Sequence, residues 1–83
     1  METIKYTSKD EMRSRQQYLF TALQHDSSAH ILKAGERIAI NQEIAALYRM
    51  MERYVDASKA MPSTYQLSQV IEDKISKIYN NLN

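Results

Sequence analysis

Two histidines and two pairs of carboxylates are the residues whose spacing comes nearest to chemistry. His25 and His30 stand five apart with Asp26 between them, which brings imidazole nitrogens and a carboxylate into one polar segment, the donor types a zinc ion takes. Metal-binding histidines on a helix favour a spacing of four, and a working site needs further groups to orient its ligands. Neither is found here, so His25-Asp26-Ser27-Ser28 reads as a polar turn. Glu52 and Asp56 lie one helical turn apart and Glu36 and Glu43 two turns apart, but no Glu-x-x-His accompanies them, as it does in di-iron bundles. Solvated helix faces account for them. With no cysteine, no Gly-rich phosphate loop and no Ser in a strained Gly-flanked turn, nucleophilic and phosphoryl chemistry have no footing. The expectation is a non-enzyme with no catalytic residues, no metal and no cofactor.

Contact chemistry is better represented. Six tyrosines against one phenylalanine and no tryptophan favour the aromatic that sits half-buried with its hydroxyl in water, at a core margin or in an interface. Tyr48 and Tyr54 read as bordering the core. Tyr65 and Tyr79 fall off or at the margin of the last apolar stripe, and Lys74 and Lys77 share the outer side of the same segment. These four make a candidate partner-binding face of mixed aromatic and basic character. Of the five methionines, Met50 alone reads as facing outward, the others as core filling.

The elements that would position these residues are helices. One Gly and one Pro in 83 residues leave little turn punctuation, and Ala, Leu, Met, Gln, Glu, Lys and Arg abound. Ser8 with Glu11 three residues on is a capping-box pattern, opening a helix over 8–24 with Met12, Leu19 and Leu23 inward and Arg15 or Gln16 inward by its stem. A short helix over 28–36 ends at Gly35, with a stop or kink before Asn41, the next cap. The third helix, 41–60, carries Ile44, Leu47, Tyr48, Met51, Tyr54 and Val55 at three- and four-residue steps. Pro62 closes it, and Ser63-Thr64 cap a last helix over 63–81. That helix carries Leu67, Val70, Ile71, Ile75, Ile78 and Leu82 inward and Asp73 and Lys77 as an outward pair. The reading is an all-α fold, a single domain over 1–83, built as a small antiparallel four-helix bundle. The alternative is a three-helix bundle with a long bent central helix.

Eleven basic against ten acidic residues, with no long run of either sign, argue against nucleic acid. Pro62 to Ile71 resembles the first helix of a helix-turn-helix, but the acidic Glu72-Asp73 that follow, without a glycine turn, leave no recognition helix. The apolar run Ile44-Ala45-Ala46-Leu47 is broken at once by Tyr48-Arg49, far short of the ~20 residues of a membrane span. The acidic, alternating start is unlike a secretory signal, so a cytoplasmic location is expected.

Glu43-Ile44-Ala45-Ala46-Leu47-Tyr48-Arg49-Met50-Met51 running to Tyr54, then Ser58-Lys59-Ala60-Met61-Pro62, then Leu67-Ser68-Gln69-Val70-Ile71 and Lys74-Ile75 carry a resemblance. In order and apolar spacing they resemble the immunity proteins against pediocin-like bacteriocins, the enterocin A immunity family, over roughly half of the chain. The resemblance implies an antiparallel four-helix bundle in the cytoplasm of a Gram-positive bacterium, without cofactor. It implies as partner the mannose permease with bound bacteriocin. It places specificity in the C-terminal half, which adds Lys59 to the partner-binding candidates. The chain is at the short end and more nearly neutral than many members, and the C-terminal extension that the resemblance implies is expected to be reduced or absent, which bears on the permease contact.

The function expected is therefore stoichiometric protein binding, with bacteriocin immunity as its sharpest form. The alternatives are a phage- or plasmid-borne regulatory or assembly factor that masks or chaperones a partner and, behind it, a DNA-binding regulator. Both a monomer and a homodimer fit the apolar stripes.

Overall fold

Ser8 holds extended dihedrals and its hydroxyl accepts from the Glu11 amide at 3.1 Å, so a helix starts where the cap requires. The Glu11 carboxylate reaches back one residue beyond the cap, accepting from the Thr7 amide at 2.8 Å and the Thr7 hydroxyl at 3.0 Å. In this computed structural model, which describes residues 5–54, 61–62 and 66–81, helix α1 spans Lys9–Ala29, α2 Ala34–Arg53 and α3 Gln69–Asn80. Strand β1, Lys5–Tyr6, pairs antiparallel with β2, Met61–Pro62, Lys5 opposite Pro62 and Tyr6 opposite Met61. The all-α class is confirmed, but the described chain has three helices and not the four of the expected bundle.

The missing helix is explained at Asp26. Instead of starting a turn, this residue stays in α1, and its carboxylate accepts from the amides of Ile31 at 2.7 Å and Leu32 at 3.0 Å. With those two amides satisfied, the helix continues to Ala29, and His30 turns the chain in the left-handed region with φ 53°. Ser28, expected to open a second helix, is therefore inside the first. Gly35 falls in the first turn of α2, where its amide has no helical partner to lose, and the helix passes through it without a stop. Asn41, expected as a cap, lies within α2 and donates to the Arg37 carbonyl at 3.2 Å.

The other ends differ as well. Tyr54 leaves helical dihedrals, and its hydroxyl donates to the Thr7 carbonyl, tying the end of α2 to the start of α1. The expected continuation of that helix over 55–60 lies outside the described residues, as do the predicted Ser63-Thr64 cap, Val55 and Leu82. Ser68 caps α3, its hydroxyl accepting from the Ile71 amide at 3.4 Å, so the described helix begins later than predicted.

Met12, Leu19, Ile40, Leu47, Ile75 and Ile78 form the fully buried centre, with Tyr6, Ala22, Leu32, Met50 and Leu67 around it. Met50 is thus inside, contrary to expectation. Tyr48, expected at the core margin, and Val70, expected inward, are exposed. None of the described helices is long and apolar enough to cross a membrane.

Candidate functional site

Arg15 lies on the buried stripe of α1, and its guanidinium joins all three helices. Its Nε donates to Glu43 Oε2 of α2 at 2.7 Å and its Nη2 to Glu43 Oε1 at 3.3 Å, a two-point pair. Its Nη1 donates to Glu72 Oε2 of α3 at 3.4 Å, and Nη2 also donates to Glu72 Oε1. Glu43 is 0% exposed, so the solvated face assigned to it from sequence is wrong. Burial opposes the charge of Arg15, but hydrogen bonds and charge from Glu43 and Glu72 prevail and hold its pKa above the ordinary value.

Aromatic groups wall this centre. The Arg15 guanidinium lies 5.5 Å from the centroid of the Tyr18 ring, within cation–π range. Tyr18 stacks on Tyr79 of α3 with ring centroids 4.7 Å apart and planes 5° from parallel. The Tyr79 hydroxyl donates to the Tyr18 carbonyl at 2.7 Å. Tyr6, anchored by the β1–β2 ladder, is 5% exposed, and its hydroxyl is buried with no hydrogen-bond partner among the described residues. Burial, with the nearby Glu43 charge, raises the pKa of this phenol.

Two further ion pairs lie at the start of α2. Arg37 Nη1 meets Asp26 Oδ2 at 3.3 Å, and Lys74 Nζ of α3 meets Glu36 Oε1 at 2.7 Å. Glu36 also accepts from the Lys33 amide at 2.8 Å, which helps to cap α2. The Lys74 ammonium, with the Lys33 amide, lowers the Glu36 pKa. Burial alone would raise the Asp26 pKa, but the Leu32 and Ile31 amides and Arg37 lower it. These groups hold the fold together. Among the described residues, no cluster of His, Cys, Asp or Glu could hold a metal ion.

The predicted contact face is divided by these interactions. Tyr79 and Lys74 are engaged within the molecule, correcting their outward placement, whereas Lys77 is exposed. Asp73 accepts from the Gln69 side chain at 2.9 Å, a local bond one turn back. Lys59 and Tyr65 lie outside the described residues.

Among the described residues, an exposed surface lies elsewhere. Arg15 and Tyr18 direct one side of α1 toward α3, whereas Lys9, Arg13 and Gln16 on another side line a shallow groove of about 390 Å³ with Tyr48, Met51 and Glu52 of α2. Tyr48 is 58% exposed, and Phe20, one turn beyond Gln16, is 48% exposed. Gln16 Nε2 donates to the Ile44 carbonyl at 3.2 Å, fixing the relative height of the two walls.

Comparison with family models, with curated proteins and with solved structures finds no match to this chain.

Sequence reasoning missed Arg15, Glu43 and Glu72 as a unit, although part of the signal was present. Met12, Arg15, Leu19, Ala22 and Asp26, and likewise Ile40, Glu43, Leu47 and Met50, follow one another at three- and four-residue steps. A charge at such a step marks a paired buried charge as readily as a break in the stripe.

Proposed function

We propose that this chain is a non-enzymatic helical protein that works by protein–protein association through the exposed α1–α2 face. The observation that carries the reading is the exposure of Tyr48 beside a groove whose opposite wall is Lys9, Arg13 and Gln16. An exposed Tyr with a partly buried Met and charged groups at the margin is the composition of a protein contact. By contrast, Arg15, Glu43, Glu72, Asp26 and Glu36 are engaged in structural pairs and offer no poised acid or base.

The sharper form of the reading, immunity to a pediocin-like bacteriocin, is supported by the apolar spacing of Glu43–Tyr54 and Leu67–Ile75. The three helices of the described chain depart from the bundle that resemblance implies. Expression in a sensitive Gram-positive strain challenged with a peptide panel tests it. Protection against one or a few peptides, lost on truncation after Lys59, is the expected result, and uniform sensitivity at good expression overturns the immunity form. The broader reading is tested by affinity capture with the tagged chain and its Tyr48→Glu variant. Protein recovered by the former and lost with the latter is expected, and equal recovery overturns the assignment of the face.

A further inference from the structure

We infer that the occupant of the α1–α2 face is a second copy of this chain, packed about a two-fold axis that runs along the groove. This inference rests on the proposed binding role of the face and names its partner. The argument begins with charge. Lys9 and Arg13 line the groove from the start of α1, and Glu52 lines it from the end of α2, so opposite charges stand at the same end on opposite walls. A two-fold axis along the groove leaves height unchanged and exchanges the walls. It therefore lays α1 of one copy over α2 of the other, and Lys9 over Glu52 of the second copy, twice over. An isologous interface requires this self-complementarity.

Aromatic groups follow the same register. The Gln16–Ile44 bond sets residue 16 level with residue 44, which puts Arg13 close to the height of Tyr48. The exposed Tyr48 ring of each copy then faces Arg13 of the other, a cation–π arrangement. Phe20 falls level with the turn that contains Ile38, itself 58% exposed. Two helices about 30 Å long lying about 9 Å apart offer each copy roughly 500 Å², about 1,000 Å² in total, the lower end for a specific interface. The core layer of the dimer would hold four helices, two from each copy, and α3 would remain on the outside.

Sedimentation equilibrium over a wide concentration range tests the proposal, with circular dichroism melts to establish that each variant is folded. The wild type should dimerise with concentration, and Tyr48→Arg, which sets like charges opposite Arg13, should stay monomeric with the thermal midpoint of the dilute wild type. Lys9→Glu and Glu52→Lys should each weaken the dimer about ten-fold, because each places like charges opposite one another twice. Mixed in equal amounts, those two variants should form a heterodimer tighter than either homodimer, since position 9 of each copy then faces an opposite charge at position 52 of the other. A monomer at all concentrations, a dimer indifferent to Tyr48→Arg, or a mixture no tighter than its components overturns the proposal. If the chain is monomeric and Tyr48→Glu still abolishes capture of a different protein, the second copy is excluded and the binding role of the face stands. If neither property depends on Tyr48, both readings fall.

Discussion

Arg15 of α1 and Glu43 of α2 form a two-point ion pair across the first helix–helix interface, with the Glu43 side chain only 1% exposed and Arg15 17% exposed. An ion pair so placed has given up most of its hydration, and its worth lies in the geometry that satisfies both ends. Glu72 on α3 occupies the rest of the guanidinium, so one side chain registers the third helix against the first two.

Removing a single member should therefore be more damaging than removing all. Arg15→Met leaves Glu43 buried and unpaired, and should destabilise the fold by about 3–5 kcal/mol. The triple variant Arg15→Met, Glu43→Leu, Glu72→Leu, with no charge left to strand, should be far less destabilised than Arg15→Met alone. Urea unfolding of both measures the difference, and equal losses would show that the guanidinium acts through packing and not charge.

Acid should loosen the protein through two carboxylates. Asp26 and Glu36 have folded pKa values below their ordinary 3.8 and 4.5, so the unfolded chain binds protons first as pH falls. Their contribution is complete above the unfolded values, declines through that range, and is lost as pH drops through the folded ones. The urea midpoint should be level with respect to these groups from neutrality to about pH 5.5 and fall progressively below about pH 5. Glu36→Gln should lower the neutral-pH midpoint and flatten part of that fall, because it removes one depressed carboxylate and leaves Asp26.

Much of this architecture was legible in the sequence, and the errors share a cause. Ser8, Met12, Leu19, Leu47, Ile75 and Ile78 were placed correctly because a cap and a helical stripe are local properties. Assigning Glu43 to solvent rotated the α2 stripe toward Ile44 and Tyr48, which turned Tyr48 in and Met50 out. The end of α1 was misplaced for a similar reason. By its type Asp26 belongs in a turn, whereas its carboxylate serves amides five and six residues ahead. Which charge meets which, and the stack of Tyr18 on Tyr79, depend on helix registry that no single-helix pattern contains.

Tyr79 gives a graded test of that registry. Tyr79→Phe keeps the stack on Tyr18 and loses only the hydroxyl bond to its carbonyl, a loss of about 0.5–1.5 kcal/mol. Tyr79→Ala also removes the ring and should lose about 2–4 kcal/mol, whereas Lys77→Ala, on the exposed side, should stay within about 0.5 kcal/mol of wild type. Denaturant midpoints decide it. A Tyr79→Ala variant as stable as Lys77→Ala would mean that α3 presents a different face to α1.

The α1–α2 connection holds two backbone choices that substitution should improve. A Cβ added at Gly35 meets nothing within 4 Å, and the residue is helical, so Gly35→Ala should stabilise by about 0.5–1 kcal/mol, chiefly by narrowing the unfolded ensemble. His30 presents the opposite case, because its φ of 53° is one that a side chain resists. His30→Gly should gain up to about 1 kcal/mol, and His30→Ala should gain nothing, since alanine keeps the Cβ in the left-handed conformation. Thermal and urea midpoints for the three variants provide the comparison. A gain for His30→Ala equal to that for His30→Gly would place the strain in the imidazole and not in the backbone.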